Sequence, residues 1–262
     1  MRIPVTMCHG IRDQGDHPLS QEHFNALVLI AKEMEFTSIN YDELAAWRDG
    51  TGVLPERPIM FDFDHPVKSM RYEVHAALER HGYRGNLFIN TGLMDGEGYG
   101  TETMTWDEVR ELADLGWHMG AHTVTHPNLS ELLQTDPHGE QLRQELETCD
   151  ATLEEQLGQA PKDFAFTGTS WSSVAEKCIM ERYRCGRLWI VGSIYQVDGE
   201  KMRVAELIGA DGEDEADGGP PMAARYIHRG TPAYRLPSIE IQSPLLHTEE
   251  AFRAYLEGAL NG

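Results

Sequence analysis

Short apolar runs alternate with segments of helical period along most of the 262 residues, and this alternation limits the fold more than any single motif does. IPVTMC (3–8), IMFDF (59–63), GNLFIN (85–90), WHMGAH (117–122), DFAFT (163–167), RLWIVG (187–192) and LPSIEIQ (236–242) read as strands. Helix patterns lie between them. SQEHFNALVLIAKEM (20–34) opens with Ser20 as a cap, and RYEVHAALERHG (71–82) ends at Gly82. Thr105 and Glu108 form a capping box for a helix to Leu115. A long helix starts near Asp136 and Pro137, runs through LRQELETCDATLEEQL and stops at Gly158, and Thr248 caps a closing helix. Such order implies parallel strands joined by right-handed crossovers, which a doubly wound sheet and a β/α barrel both satisfy. No repeat or long linker interrupts it, so a single domain over residues 1–262 is expected.

Charge narrows the partners. With 43 acidic against 22 basic residues the net charge is −21, and such a surface repels phosphate backbones and anionic lipid, so neither nucleic acid nor a membrane is an expected partner. Part of the excess lies in ELIGADGEDEADGGPP (206–221), which reads as an exposed, solvated loop whose composition also suits disorder. The start of the chain shows no signal-peptide pattern, which sets the expectation of a cytoplasmic protein. Cys8, Cys149, Cys178 and Cys185 are spaced for neither a zinc knuckle nor a disulfide framework.

Two stretches carry candidate chemistry. In FDFDHP (61–66), Asp62 and Asp64 lie two positions apart on one face at the carboxyl end of a strand, and Pro66 ends regular pairing. In GAHTVTHPNL (120–129), His122 and His126 also emerge at a strand's carboxyl end, four residues apart. Thr123 stands where a zinc protease would carry glutamate. Each stretch alone also fits a solvated strand end or loop; together they offer two imidazoles and a carboxylate, a set that leaves metal positions open for water and substrate.

The segment MTWDEVRELADLGWHMGAHTVTHPNL, with LPERPIMFDFDHP, the YRGNLFI strand, DFAFTGTSWS and YRLPSIEIQ, resembles the polysaccharide deacetylase (NodB-homology) superfamily, carbohydrate esterase family four. The resemblance implies a distorted seven- or eight-stranded (β/α) barrel. It also implies that Asp64, His122 and His126 bind a divalent metal and that Asp62 is the general base. Zinc fits that donor set, as do iron, cobalt and nickel. The family's two adjacent aspartates followed by glycine are here separated by Phe63, with His65 in the glycine place; this D-x-D spacing is similar to cytoplasmic and imidase-like branches. The turn after the next strand, F-A-F-T-G-T (164–169), implies Gly168 as an oxyanion donor. It lacks the family's arginine there, and His65 and His247 are the candidates for general acid.

The expected function is metal-dependent hydrolysis of a non-peptide C–N amide bond, releasing an acyl group from an amino sugar, polysaccharide or small N-acyl compound. A cyclic imide or ureide substrate, and a degenerate ligand-binding member, are the alternatives. A homo-oligomer in which a neighbour completes the groove is an open arrangement.

Overall fold

The structure, a computed structural model, describes residues 1–12, 14, 18–94, 97–98 and 101–261. The strands of its parallel barrel are β1 (Ile3–Cys8), β2 (Pro58–Asp64), β3 (Asn86–Ile89), β4 (His118–Ala121), β5 (Asp163–Ala165), β6 (Cys185–Ile190) and β7 (Leu236–Glu240). Each pairs with the next, and β7 and β2 both pair with β1, so the seven strands close into a barrel. Closure separates a barrel from a doubly wound sheet. It depends on Thr6 aligning with Phe61 on one side and Ile239 on the other, a pairing of residues far apart in sequence.

Helices surround the barrel: α1 (Gln21–Glu33), α2 (Tyr41–Arg48), α3 (His75–Glu79), α4 (Trp106–Asp114), α5 (Glu140–Leu157), α6 (Ser173–Met180) and α7 (Glu249–Leu260). Ser20, Thr105 and Thr248 accept backbone N–H groups at the starts of α1, α4 and α7, and Glu108 completes the box at α4. Leu27, Ala31, Leu112, Leu146 and Ile179 turn inward from these helices onto the outer barrel wall. Each large apolar side chain so buried contributes about 1.5–3 kcal/mol.

A separate apolar layer fills the barrel. Ile3, Val5, Met60, Phe88 and Leu236 meet Tyr41, Leu44 and Trp47 of α2. Phe88 lies against Gly120, where a Cβ would stand 2.5 Å from its ring, so β4 has room for no larger residue there.

Some elements differ from the sequence expectation. α2, capped by Asn40 with Glu43 reaching back, was not anticipated. The helix expected over 71–82 is shorter and opens with a wide π turn at Met70–Val74. α5 begins at Glu140 rather than near Asp136, because the Asp136 carboxylate accepts the amides of Glu140 and Leu142 at 2.9 and 3.0 Å and so caps the helix. The acidic stretch starts in a helical turn, Val204–Ile208, and its Asp217 carboxylate takes two hydrogen bonds from buried Arg225, which anchors that exposed loop. All four cysteines are free and buried. Among the described residues no helix is long and apolar enough to cross a membrane.

Candidate metal centre

The carboxyl ends of β2 and β4 deliver the central groups. After Asp64 the backbone turns at His65, whose φ of +66° ends the strand. After Ala121 come His122 and a loop in which Thr123 (φ +67°) and His126 (φ +59°) both adopt left-handed conformations. A β-branched residue in that region costs about 1–2 kcal/mol. Thr123 is held there in part by its own hydroxyl, which accepts the His126 amide at 3.0 Å.

The result is a triangle of imidazoles. His65, His122 and His126 place ligand atoms within 4.8 Å of one another, with ring centroids 4.9 to 5.1 Å apart. His122 Nδ1 lies 2.8 Å from the Ala165 carbonyl oxygen, which fixes the tautomer that presents Nε2 to the cluster. That Nε2 is buried and has no hydrogen-bond partner among the described residues. Burial pushes the His122 pKa down to about 3, with His126 and Arg187 adding to it against the pull of Asp64. Burial also lowers His65, well below the ordinary range, and His126. Three imidazoles held below their ordinary pKa, one of them with the buried Nε2 of His122 turned into the cluster, suit a divalent cation, so the residues present fit a metal.

Beneath the triangle lies a buried ionic network. Arg187, on β6 and fully buried, donates from Nη2 to Asp64 Oδ1, and its Nε stands 3.6 Å from Asp62 Oδ2. Asp64 Oδ2 reaches to 3.9 Å from His122 Nε2. Burial raises Asp64, but Arg187, with His122 and His9, outweighs it and holds the carboxyl below its usual value. Asp62 sits one layer deeper along β2. It accepts from Tyr41 Oη at 2.6 Å and Asn86 Nδ2 at 2.9 Å. Burial raises its pKa to about 6 against the opposing effects of Arg187, Tyr41 and Asn86. The network brings Asp64 to the histidine cluster and leaves Asp62 supporting the arginine from below.

A further pair flanks the triangle. His9, directly after β1, stacks on His65 with centroids 5.3 Å apart, and its Nδ1 lies 3.6 Å from Glu240 Oε1 at the end of β7. The Trp189 ring meets His9 edge-on at 5.1 Å.

The remaining sequence candidates fall at different places. Gly168 has φ +58° and open space where a Cβ would be; its neighbour Thr167 donates to the Pro127 carbonyl at 2.5 Å, tying this turn to the residue after His126. His247 is exposed, with Nδ1 3.1 Å from the Pro244 carbonyl, and is not drawn into the triangle. Arg187, Tyr41, Asn86 and Glu240 were not singled out from the sequence. The signal for two of them was a charge at a strand position inside the apolar runs RLWIVG and LPSIEIQ.

Solved structures share this architecture. The Streptococcus pyogenes deacetylase PplD, in complex with acetate, is 16% identical with a TM-score of 0.68, over 94% of this chain and 96% of that one. IcaB from Ammonifex degensii is 15% identical, TM-score 0.65, over 71% and 83%. A polysaccharide deacetylase from Bacillus cereus is 17% identical, TM-score 0.68, over 98% and 69%. No curated protein sequence matches. A family model described as polysaccharide deacetylase matches residues 51–181, half of the chain, from before β2 to the end of α6. The chain belongs to the polysaccharide deacetylase family.

Proposed function

We propose that this protein is a metal-dependent deacetylase that removes the acyl group from an N-acylated amino sugar, free or within a polysaccharide. Family membership supports hydrolysis of an amide C–N bond in a carbohydrate. The observation that carries the reading is the convergence of three imidazoles beside a carboxylate fixed by a buried arginine.

On this reading the metal is held by His65, His122 and His126, and Asp64 becomes the proton acceptor instead of a ligand. The family's adjacent aspartates then correspond to Asp64 and His65, and its glycine to Pro66, so histidine replaces the second aspartate. A divalent ion in such a site supplies Lewis acidity that lowers the pKa of water and polarises an amide carbonyl. Zinc suits three imidazoles, and iron, cobalt or nickel also bind them.

Asp64, held ionised by Arg187, takes the proton as water adds to the carbonyl carbon. The Gly168 amide is the proposed donor to the tetrahedral oxyanion. His9, oriented by Glu240, is placed to pass a proton to the amine as the C–N bond breaks. Asp62 positions Arg187 and does not touch the substrate.

The test is acetate release from chitooligosaccharides and N-acetylated metabolites, together with metal analysis. Asp64→Asn should retain the metal and lose about 10²–10⁴ in kcat, whereas His65→Ala should lose the metal. The reverse pattern would return the ligand role to Asp64. Full activity after chelation, or opening of cyclic imides with no deacetylation, would overturn the reading.

A further inference from the structure

The His122–His126 loop is gripped from two sides by residues that contribute no donor to the triangle. On one side, the turn after β3 takes up its carbonyls: Asn90 Nδ2 donates to the Thr123 and Val124 oxygens at 3.2 and 2.5 Å, and the Thr91 and Gly92 amides donate to the same two at 3.1 Å. A Cβ on Gly92 would stand 2.4 Å from the Val124 oxygen, so only glycine permits this approach. On the other side, the Glu145 carboxylate on α5 accepts three hydrogen bonds. Its Oε2 takes the amides of Val124 and Thr125, both at 3.0 Å, and its Oε1 takes the Thr125 hydroxyl at 2.8 Å.

From this geometry we infer that Glu145 is a positioning residue: it sets metal affinity by holding the loop in the form that aims His122 and His126 at one point. The inference rests on the metal reading above. Between the two histidines, the loop amides of Val124 and Thr125 both donate to Glu145, so a single carboxylate on a long, well-capped helix fixes both. Without it, the loop keeps its carbonyl contacts to the β3 turn but gains freedom immediately before His126. Ligands that must be ordered on binding bind a metal more weakly than ligands already ordered.

The experiment measures zinc affinity by chelator competition for wild type, Glu145→Ala, Glu145→Gln and Glu147→Gln, alongside hydrogen exchange of the Val124 and Thr125 amides in metal-free protein. Loss of an outer carboxylate of this kind weakens metal binding by about 10–100-fold, expected for Glu145→Ala. The amide of Glu145→Gln keeps an acceptor oxygen and should recover part of that loss. Glu147→Gln removes a charge from the same helix without touching the loop and should change affinity by less than about twofold. The two loop amides should exchange faster in Glu145→Ala. If that variant does not fold, Glu145→Gln alone carries the comparison with Glu147→Gln. Affinity unchanged in the Glu145 variants, or reduced as much by Glu147→Gln, overturns the inference. Wild type that binds no zinc overturns the metal reading instead, and unchanged exchange at the two amides then overturns the clamp independently.

Discussion

Arg187 offers one guanidinium to two carboxylates, hydrogen-bonding Asp64 and lying 3.6 Å from Asp62, with its charged group 5.0 Å from the Phe88 ring centroid. Removing one member of a buried ionic group leaves the others uncompensated, typically at about 3–5 kcal/mol. Arg187→Met should therefore destabilise the protein by about that much in urea titrations. Asp62→Asn on that background should restore part of it by removing one of the stranded charges. Simple additivity of the two effects would mean that they do not share a network. This arrangement also shows what the sequence could reveal of the site. The histidine pair and the two aspartates were legible because strand and turn spacing puts them at strand ends. The contacts that distinguish the two aspartates were not, because Arg187, Tyr41 and Asn86 arrive from other strands and a helix, and the division of roles proposed above rests on those contacts.

At the level of elements, α5 connects the helical shell to the candidate centre through Glu145, and its first turn is secured by Asp136 accepting the Glu140 and Leu142 amides. Asp136→Ala should cost about 1–2 kcal/mol, read by chemical denaturation. Zinc affinity should stay close to wild type if Glu145 sits far enough along the helix to be unaffected; a large loss of affinity would show that fraying reaches it. The caps at Ser20, Thr105 and Thr248 and the seven barrel strands were readable from local chemistry and periodicity. α2 was missed because its eight residues present less than three turns of pattern. Barrel closure was beyond local reading, since it depends on the β1 pairings with β2 and β7 rather than on any segment's own period.

Across the whole molecule, folding forces imidazoles and carboxylates into a medium that opposes their charge, and the balance makes stability depend on pH. An unfolded histidine titrates near 6.5, while His65, His122 and His126 are all lowered in the fold, His122 to about 3. Between those limits the unfolded chain binds more protons, so their contribution is complete above about pH 6.5 and is lost as pH falls toward the folded values. Asp62 runs the other way. Raised to about 6, its contribution is present below the unfolded carboxyl range and is lost as pH rises through 6. The lowered histidines, His75 and His228 with the three of the triangle, outnumber the raised carboxyls Asp62 and Asp150, so metal-free protein should lose stability on acidification from pH 7 to pH 5. His122→Gln should flatten that slope by about one proton. Metal binding to the native state should behave differently. Its proposed ligands all lie below the ordinary histidine value, so calorimetry at pH 6 in buffers of different ionisation enthalpy should show fewer protons released per ion than three ordinary imidazoles would give, and affinity should fall less on acidification to that pH than for such a set. Release of about two protons or more per ion, as three ordinary imidazoles would give, would mean that the imidazoles are charged in the fold, contrary to the desolvation that their burial imposes.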